Sequence, residues 1–107
     1  MDHNRMARLE ARAHIIKAMA HPSRLLILEE LARERRCVAE LTATVGSDVS
    51  TVSKHLSVLR EAGIVEGVRC GAQIYYSLRV PCVLNFFGCI EAVIRSKAKE
   101  HMKLIGK

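Results

Sequence analysis

Two short amphipathic segments, Val38 to Val45 and Val49 to Ala62, are separated by only three residues, Gly46-Ser47-Asp48. Gly46 is suited to stop the first as a helix, and Ser47 or Asp48 to cap the start of the second. Two helices joined by a three-residue turn containing Gly have the form of a helix-turn-helix. In the second helix Val49, Val52, Leu56 and Leu59 fall at core-facing spacing. Its opposite face carries Ser50, Thr51, Ser53, Lys54, Ser57 and Arg60, short hydroxyls and two cations. Such a face suits phosphates and base edges. An ordinary solvated helix face has a similar composition, so the surroundings must decide.

Downstream, Gly63 closes the second helix. Ile64 to Cys70 and Gln73 to Leu78 then read as strands joined by a tight turn at Gly71-Ala72. A hairpin directly after a recognition-type helix gives a winged helix-turn-helix, with Arg69 and Gln73 flanking the tip that would meet the DNA backbone. Upstream, Met6, Leu9, Ala13, Ile16 and Ala20 mark a helix that ends at His21-Pro22. Pro22 suits the first turn of the next helix, whose apolar face is Leu25, Leu26, Leu28, Leu31 and Ala32 and which fades out in Arg33-Glu34-Arg35-Arg36. Pro81 starts a last helix to about Met102, with Val83, Phe86, Phe87, Ile90, Val93 and Ile94 on one side.

The expected fold is therefore mainly α with one β-hairpin, in the order α-α-α-α-β-β-α. One winged domain spans 1–107, with its helix-turn-helix at 38–62 and its wing at 64–78. The outer helices, 5–20 and 81–104, have no sequence neighbour able to cover both apolar stripes. Packed across a two-fold axis, they make a homodimer with two recognition helices for adjacent half-sites. The alternative is that both fold back over their own domain.

Composition narrows the function. Half of the 107 residues are hydrophobic and 26% charged, a globular balance that allows one domain and hardly two. The net charge of +6 favours a polyanionic partner, although much of the excess lies in the two outer helices. Two Phe, two Tyr and no Trp, none in a stacking motif, argue against an RNA-binding sheet. No Gly-rich phosphate loop, paired-carboxylate set or Ser-His-Asp arrangement is present, so no enzyme is expected. The longest apolar stretch, Val80 to Ile94, is interrupted by Asn85 and Glu91 and falls short of the roughly 20 residues of a membrane span. The polar start, Met1 to Arg5, lacks an apolar secretory region, so a cytoplasmic protein is expected, with no membrane partner. In that compartment four cysteines are free thiols, metal ligands or redox sensors rather than structural disulfides.

The chain resembles the ArsR/SmtB family of small winged-helix repressors over about Ala11 to Ile94. The residues that carry the resemblance are Ala18 through Leu28, then Val38-Ala39-Glu40-Leu41, the run Ser50 through Val65, and the wing Gly71 through Leu78. Within the third of these, Ser50, Ser53, His55, Leu56, Leu59 and Ala62-Gly63-Ile64-Val65 form the string specific to the group. The resemblance implies a homodimer that represses at a palindromic duplex operator, released by a metal ion, a metalloid or an oxidant acting on cysteine. It also implies that His55, lying in the recognition helix, contacts DNA, the plainer alternative being a cap on neighbouring backbone.

Family metal sites match poorly. Where one version carries two thiols at the start of the first helix of the helix-turn-helix, this chain has Cys37 but Ala39 in place of the second. Where a zinc-binding version has Asp and His, then His and Glu, on the last helix, this chain offers Val80, Cys82, Val93 and Ser96. What remains is Cys37, after Arg35-Arg36 at a helix start, Cys82 at the start of the last helix, Cys89 seven residues on, and Cys70 in the wing. Seven helical residues span roughly 10 Å, too far for Cys82 and Cys89 to grip one small ion or form a disulfide unaided. Another element or the partner chain must bring in a thiol. The expected inducer is a soft ion held by Cys37, Cys82 and Cys89, with As(III) or Sb(III) the first expectation and no constitutive cofactor. The alternatives are a redox or persulfide switch on the same thiols, and, more weakly, an interaction module that binds no DNA.

Overall fold

Helix ends are set by local capping chemistry. The computed structural model describes residues 2–105. Met1, Gly106 and Lys107, counted in the one-domain expectation, lie outside the described residues. Helix α1 (His3–Met19) opens on Asp2, whose carboxylate accepts the Arg5 N–H at 2.7 Å. Helix α2 (Pro22–Arg33) opens on His21, whose Nδ1 accepts the Ser23 N–H at 3.1 Å, with Pro22 where no donor is needed. Helix α3 (Val38–Val45) stops at Gly46, left-handed at φ 78°. Asp48 caps α4 (Val49–Glu61) by accepting the Thr51 N–H at 2.7 Å. Asp48→Ala is expected to cost about 1 kcal/mol, read as a fall of roughly 5 °C in the thermal midpoint.

The end of α4 fixes where the wing begins. Gly63, at φ 82°, donates to the Arg60 carbonyl at 2.9 Å and Ile64 donates to Leu59 at 3.0 Å, the paired bonds that close a helix through a left-handed glycine. Strands β2 (Val65–Cys70) and β3 (Gln73–Leu78) pair antiparallel from Val65↔Leu78 to Cys70↔Gln73. Gly71, at φ 65°, supplies the turn conformation that matches strand twist.

One strand escapes the sequence reading. Arg36, expected in the fading end of the second helix, and Cys37, expected at the start of the third, form a strand that pairs antiparallel with β3 through Arg36↔Tyr76 and Cys37↔Tyr75. The hairpin is thus the larger part of a three-stranded sheet. We number the strands in chain order, so Arg36–Cys37 is β1, the hairpin strands are β2 and β3, and the sheet order is β1-β3-β2. The Arg35 guanidinium lies 5.3 Å from the centroid of the Tyr75 ring, and Arg36 reaches Glu30, Glu34 and Glu40 at 3.4 to 4.0 Å. The last residue of the charged run, Arg36, thus enters an edge strand and is held there by acids on either side of it.

The core is built where α2, α3, α4 and the sheet meet. Ile27, Leu28 and Leu31 of α2, Leu41 of α3, Val52, Leu56 and Leu59 of α4, and Ile64, Val65 and Tyr76 are buried in one cluster. Leu25 and Ala32, expected on the inner face of α2, are exposed, and Ile27 takes the inner place. From α1 only Ala18 and Met19 enter the core. The last helix, α5 (Val83–Ile105), buries no residue. It starts two residues after Pro81, because Pro81 and Cys82 form a turn in which Val83, Leu84 and Asn85 each donate three residues back, at 3.1 Å.

These outer helices make the chain extended. Its radius of gyration is 17.1 Å, against about 13 Å for a compact chain of this length. A groove of about 310 Å³ between α1, α2 and α5 is lined by Ile16, Met19, Leu25, Phe86, Phe87 and Ile90, among others. Phe86, Ile90, Val93 and Ile94 remain 40 to 55% exposed, more apolar surface than one helix of a lone protomer ordinarily leaves in water. No helix among the described residues is long and apolar enough to cross a membrane.

Candidate nucleic-acid interface

Helix α4 separates its two faces sharply. Val52, Leu56 and Leu59 are fully buried, while Ser50, Lys54, Ser57 and Arg60 are exposed and Thr51 and Ser53 half-buried at the margins. The exposed positions recur at three- and four-residue spacing, so they form one surface. Asp48 organises its leading edge: Ser50 Oγ donates to Asp48 Oδ1 at 3.0 Å beside the Thr51 N–H bond. The Thr51 N–H, then the Thr51 and Ser50 hydroxyls, hold the Asp48 carboxyl below its usual range. With its proton committed to Asp48, Ser50 presents lone pairs outward and suits a donor such as the amino group of adenine or cytosine.

Two residues depart from the sequence expectation. His55 does not reach this surface. It is 7% exposed, and its Nδ1 accepts from Arg24 Nε at 3.0 Å, so the imidazole is turned inward among α1, α2 and α4. Burial, then His21, then Arg24 hold it below the ordinary histidine value of 6.5. Val49, expected in the core, is 57% exposed. Helical side chains lean toward the N-terminus, and at the first position of α4 that direction leads past the end of the core. Val49 therefore joins the rim of the polar surface, and nothing in its spacing signals this.

The wing places Arg69 and Gln73 at its exposed end, where Arg69 is paired with Ile74 and Gln73 with Cys70. From Asp48 to Leu78 the cations Lys54, Arg60 and Arg69 are matched by Asp48, Glu61 and Glu66. The surplus charge of the chain sits on α1 and α5, and Arg5, Arg8 and Arg12 line one shallow cleft of α1.

The cysteines are scattered. Cys37 is buried at the N-cap of α3, its N–H donated to Glu40 Oε1 at 3.0 Å. The Cys37 N–H, then its thiol, hold the Glu40 carboxyl below its usual range, with Arg36 adding to the effect. Cys70, Cys82 and Cys89 are exposed. Among the described residues no three His, Cys, Asp or Glu side chains come together to hold a metal, so Cys37, Cys82 and Cys89 do not form the expected set within one protomer.

A capped polar helix seated on a buried apolar stripe, after a three-residue turn and before a projecting wing, defines a winged helix-turn-helix DNA-binding protein. Residues 21–67 match the pattern of the bacterial regulatory proteins of the arsR family. The chain is 39% identical over 84 residues to the nodulation protein NolR of Rhizobium meliloti, covering 78% of this chain and 69% of that protein. The crystal structure of NolR from Sinorhizobium fredii superposes with a TM-score of 0.80 at 34% identity, over 87% of this chain and 93% of that one. A homodimeric winged helix-turn-helix DNA-binding domain from Mycobacterium bovis gives 0.79 at 30% identity, over 94% of each. The antimony-specific transcriptional repressor AntR gives 0.72 at 32% identity, over 87% and 85%. The chain belongs to the arsR family: it is a transcriptional regulator, not an enzyme.

Proposed function

We propose that the protein is a homodimeric repressor that lays α4 in the major groove of a duplex operator and rests its wing on the adjacent backbone. The observation that carries this reading is the exposed stripe of Ser50, Lys54, Ser57 and Arg60, held on a rigid inner face and capped at its leading end. Arg69 and Gln73 touch phosphates, and Val49 packs against a thymine methyl. Residues 38–62 form the reading unit, 64–78 the wing, and 5–20 with 81–104 the two-fold seam. The seam follows from the bare apolar faces of α1 and α5 and is supported by the homodimeric M. bovis relative. Lys54→Ala or Arg60→Ala should weaken binding about fivefold to all sequences and flatten its salt dependence by about one phosphate contact each. Ser50→Ala, Thr51→Ala or Ser53→Ala should instead change which base is preferred. Five variants with the same sequence profile would contradict this division.

The signal acts, on this reading, through Cys82 and Cys89. Both are exposed, Cys82 in the turn that leads into the seam helix and Cys89 in the second turn of that helix, whereas Cys37 is buried. A three-thiolate site for As(III) or Sb(III) then takes sulfurs from both protomers, a reading supported by chemical softness and by the likeness to AntR. Binding between the two copies of α5 would alter the angle of the seam and the spacing of the recognition helices. Oxidation or persulfide bridging of the same thiols is the second reading, favoured by their exposure. Reduced, DNA-bound protein is titrated with arsenite, with Cd or Zn, and with peroxide or persulfide. Arsenite is expected to release the operator, with Cys82→Ser and Cys89→Ser each abolishing release and Cys37→Ser preserving it. Release by peroxide or persulfide alone would select the second reading; arsenite release that survives both substitutions would refute a thiolate site on α5.

A further inference from the structure

His55 is the one buried polar or charged residue among the described residues, and it lies on α4 directly after the DNA-facing Lys54. Its Nδ1 accepts from Arg24 Nε at 3.0 Å. The same guanidinium donates from Nη1 to the Ala18 carbonyl at 3.1 Å, in the last turn of α1. The His21 ring packs 4.6 Å from that of His55, tilted 51°, while its own Nδ1 caps α2 through the Ser23 N–H. One planar fork therefore ties the seam helix α1 to the recognition helix α4 at the start of α2. A nitrogen that accepts a hydrogen bond carries no proton, so this tie exists only with His55 neutral.

We propose that Arg24 is a positioning residue for DNA binding, which holds the recognition helix at a fixed angle to α1 through neutral His55 and lets it go when His55 is protonated. The inference rests on the DNA-binding reading above. It explains why a family motif residue in the recognition helix faces inward, and it gives the seam a mechanical route to the DNA surface. The groups around His55 oppose its protonation: His21 and Arg24 touch it, and the cleft bordered by Arg24 is lined by His14 and Lys17 of α1 with the single acid Glu61 of α4. Burial acts in the same direction, followed by His21 and Arg24. A histidine held low in the fold contributes fully above its ordinary value of 6.5. That contribution is lost as pH falls through the lowered folded value.

The test uses the full chain and a duplex enriched from a random library by the wild type at pH 8. His55→Asn sets an amide oxygen where Nδ1 stands and cannot take up a proton; Arg24→Lys keeps the charge but lacks the fork that reaches two acceptors. Wild-type affinity is expected to fall as pH is lowered from 8 and His55 takes up its proton, by about tenfold in all, the size of one charge-assisted hydrogen bond. His55→Asn should bind within about threefold of wild type at pH 8 and should lose clearly less affinity in acid than the wild type, because the residue at position 55 no longer takes up a proton. Arg24→Lys should bind about tenfold more weakly at pH 8 with unchanged circular dichroism and assembly mass. In the free protein the Arg24 Nε–H resonance should shift with the titration of His55. The same acid profile in wild type and His55→Asn, undiminished binding by Arg24→Lys, or an Nε–H signal indifferent to His55 would each overturn the proposal. Failure of the wild type to bind any duplex at pH 8 would remove the DNA-binding reading, and this inference with it.

Discussion

A protein carrying Ile90→Lys and Ile94→Lys is expected to fold as a monomer and to lose operator binding by about 100-fold or more. Both side chains are about half exposed in the protomer, and α5 buries none of its residues, so the change removes nothing from the core. Across a two-fold seam it would place four ammonium groups in an apolar contact, and burying unpaired charge costs several kcal/mol. A monomer has one recognition helix where the dimer has two. The second half-site then no longer benefits from the high effective concentration that linkage provides, a factor of 10² or more. Sedimentation would give the mass, circular dichroism the fold, and titration with duplex the affinity. A variant that stays dimeric would place the seam elsewhere.

Leu56→Ala is expected to have the largest effect on stability. Leu56 is fully buried on the inner stripe of α4, between Val52 and Leu59, in the cluster that includes Ile27, Leu41 and Ile64. Truncation removes its transfer free energy and leaves a cavity, together about 3 kcal/mol. In a domain of this size that lowers the thermal midpoint by roughly 15 °C. Lys54→Ala, two positions away on the exposed face, should stay within about 0.5 kcal/mol of wild type while weakening DNA binding. The contrast separates the reading face from the seated face. Equal midpoints for the two variants would mean that α4 does not sit on the core as described.

How much of this was legible in the sequence depends on the range of the signal. Gly46 and Asp48 act on their own neighbours, and the helix-turn-helix they punctuate forms where expected. The hairpin around Gly71-Ala72 is local in the same sense. β1 was not legible, because a two-residue strand has no alternation and is defined only by a partner almost 40 residues on. His55 could have been read differently: it stands three residues after Val52 and four before Leu59, on the inward side of the helix, and its partner Arg24 lies 31 residues away. Val49 has inward spacing as well, but at a helix end spacing no longer tells whether there is core to meet. The expectation for Cys37, Cys82 and Cys89 rested on residue type and local setting, and neither measures the separation of the three in space.

The repressor reading is tested most directly by the salt dependence of binding to a palindromic duplex enriched by the protein itself. Two protomers are expected per duplex, with the logarithm of the binding constant falling linearly as the logarithm of salt rises from about 50 to 200 mM. Scrambling one half-site should cost most of the specific affinity. No binding at about 50 mM salt by the reduced protein, or equal affinity for intact and half-scrambled duplexes, would contradict it.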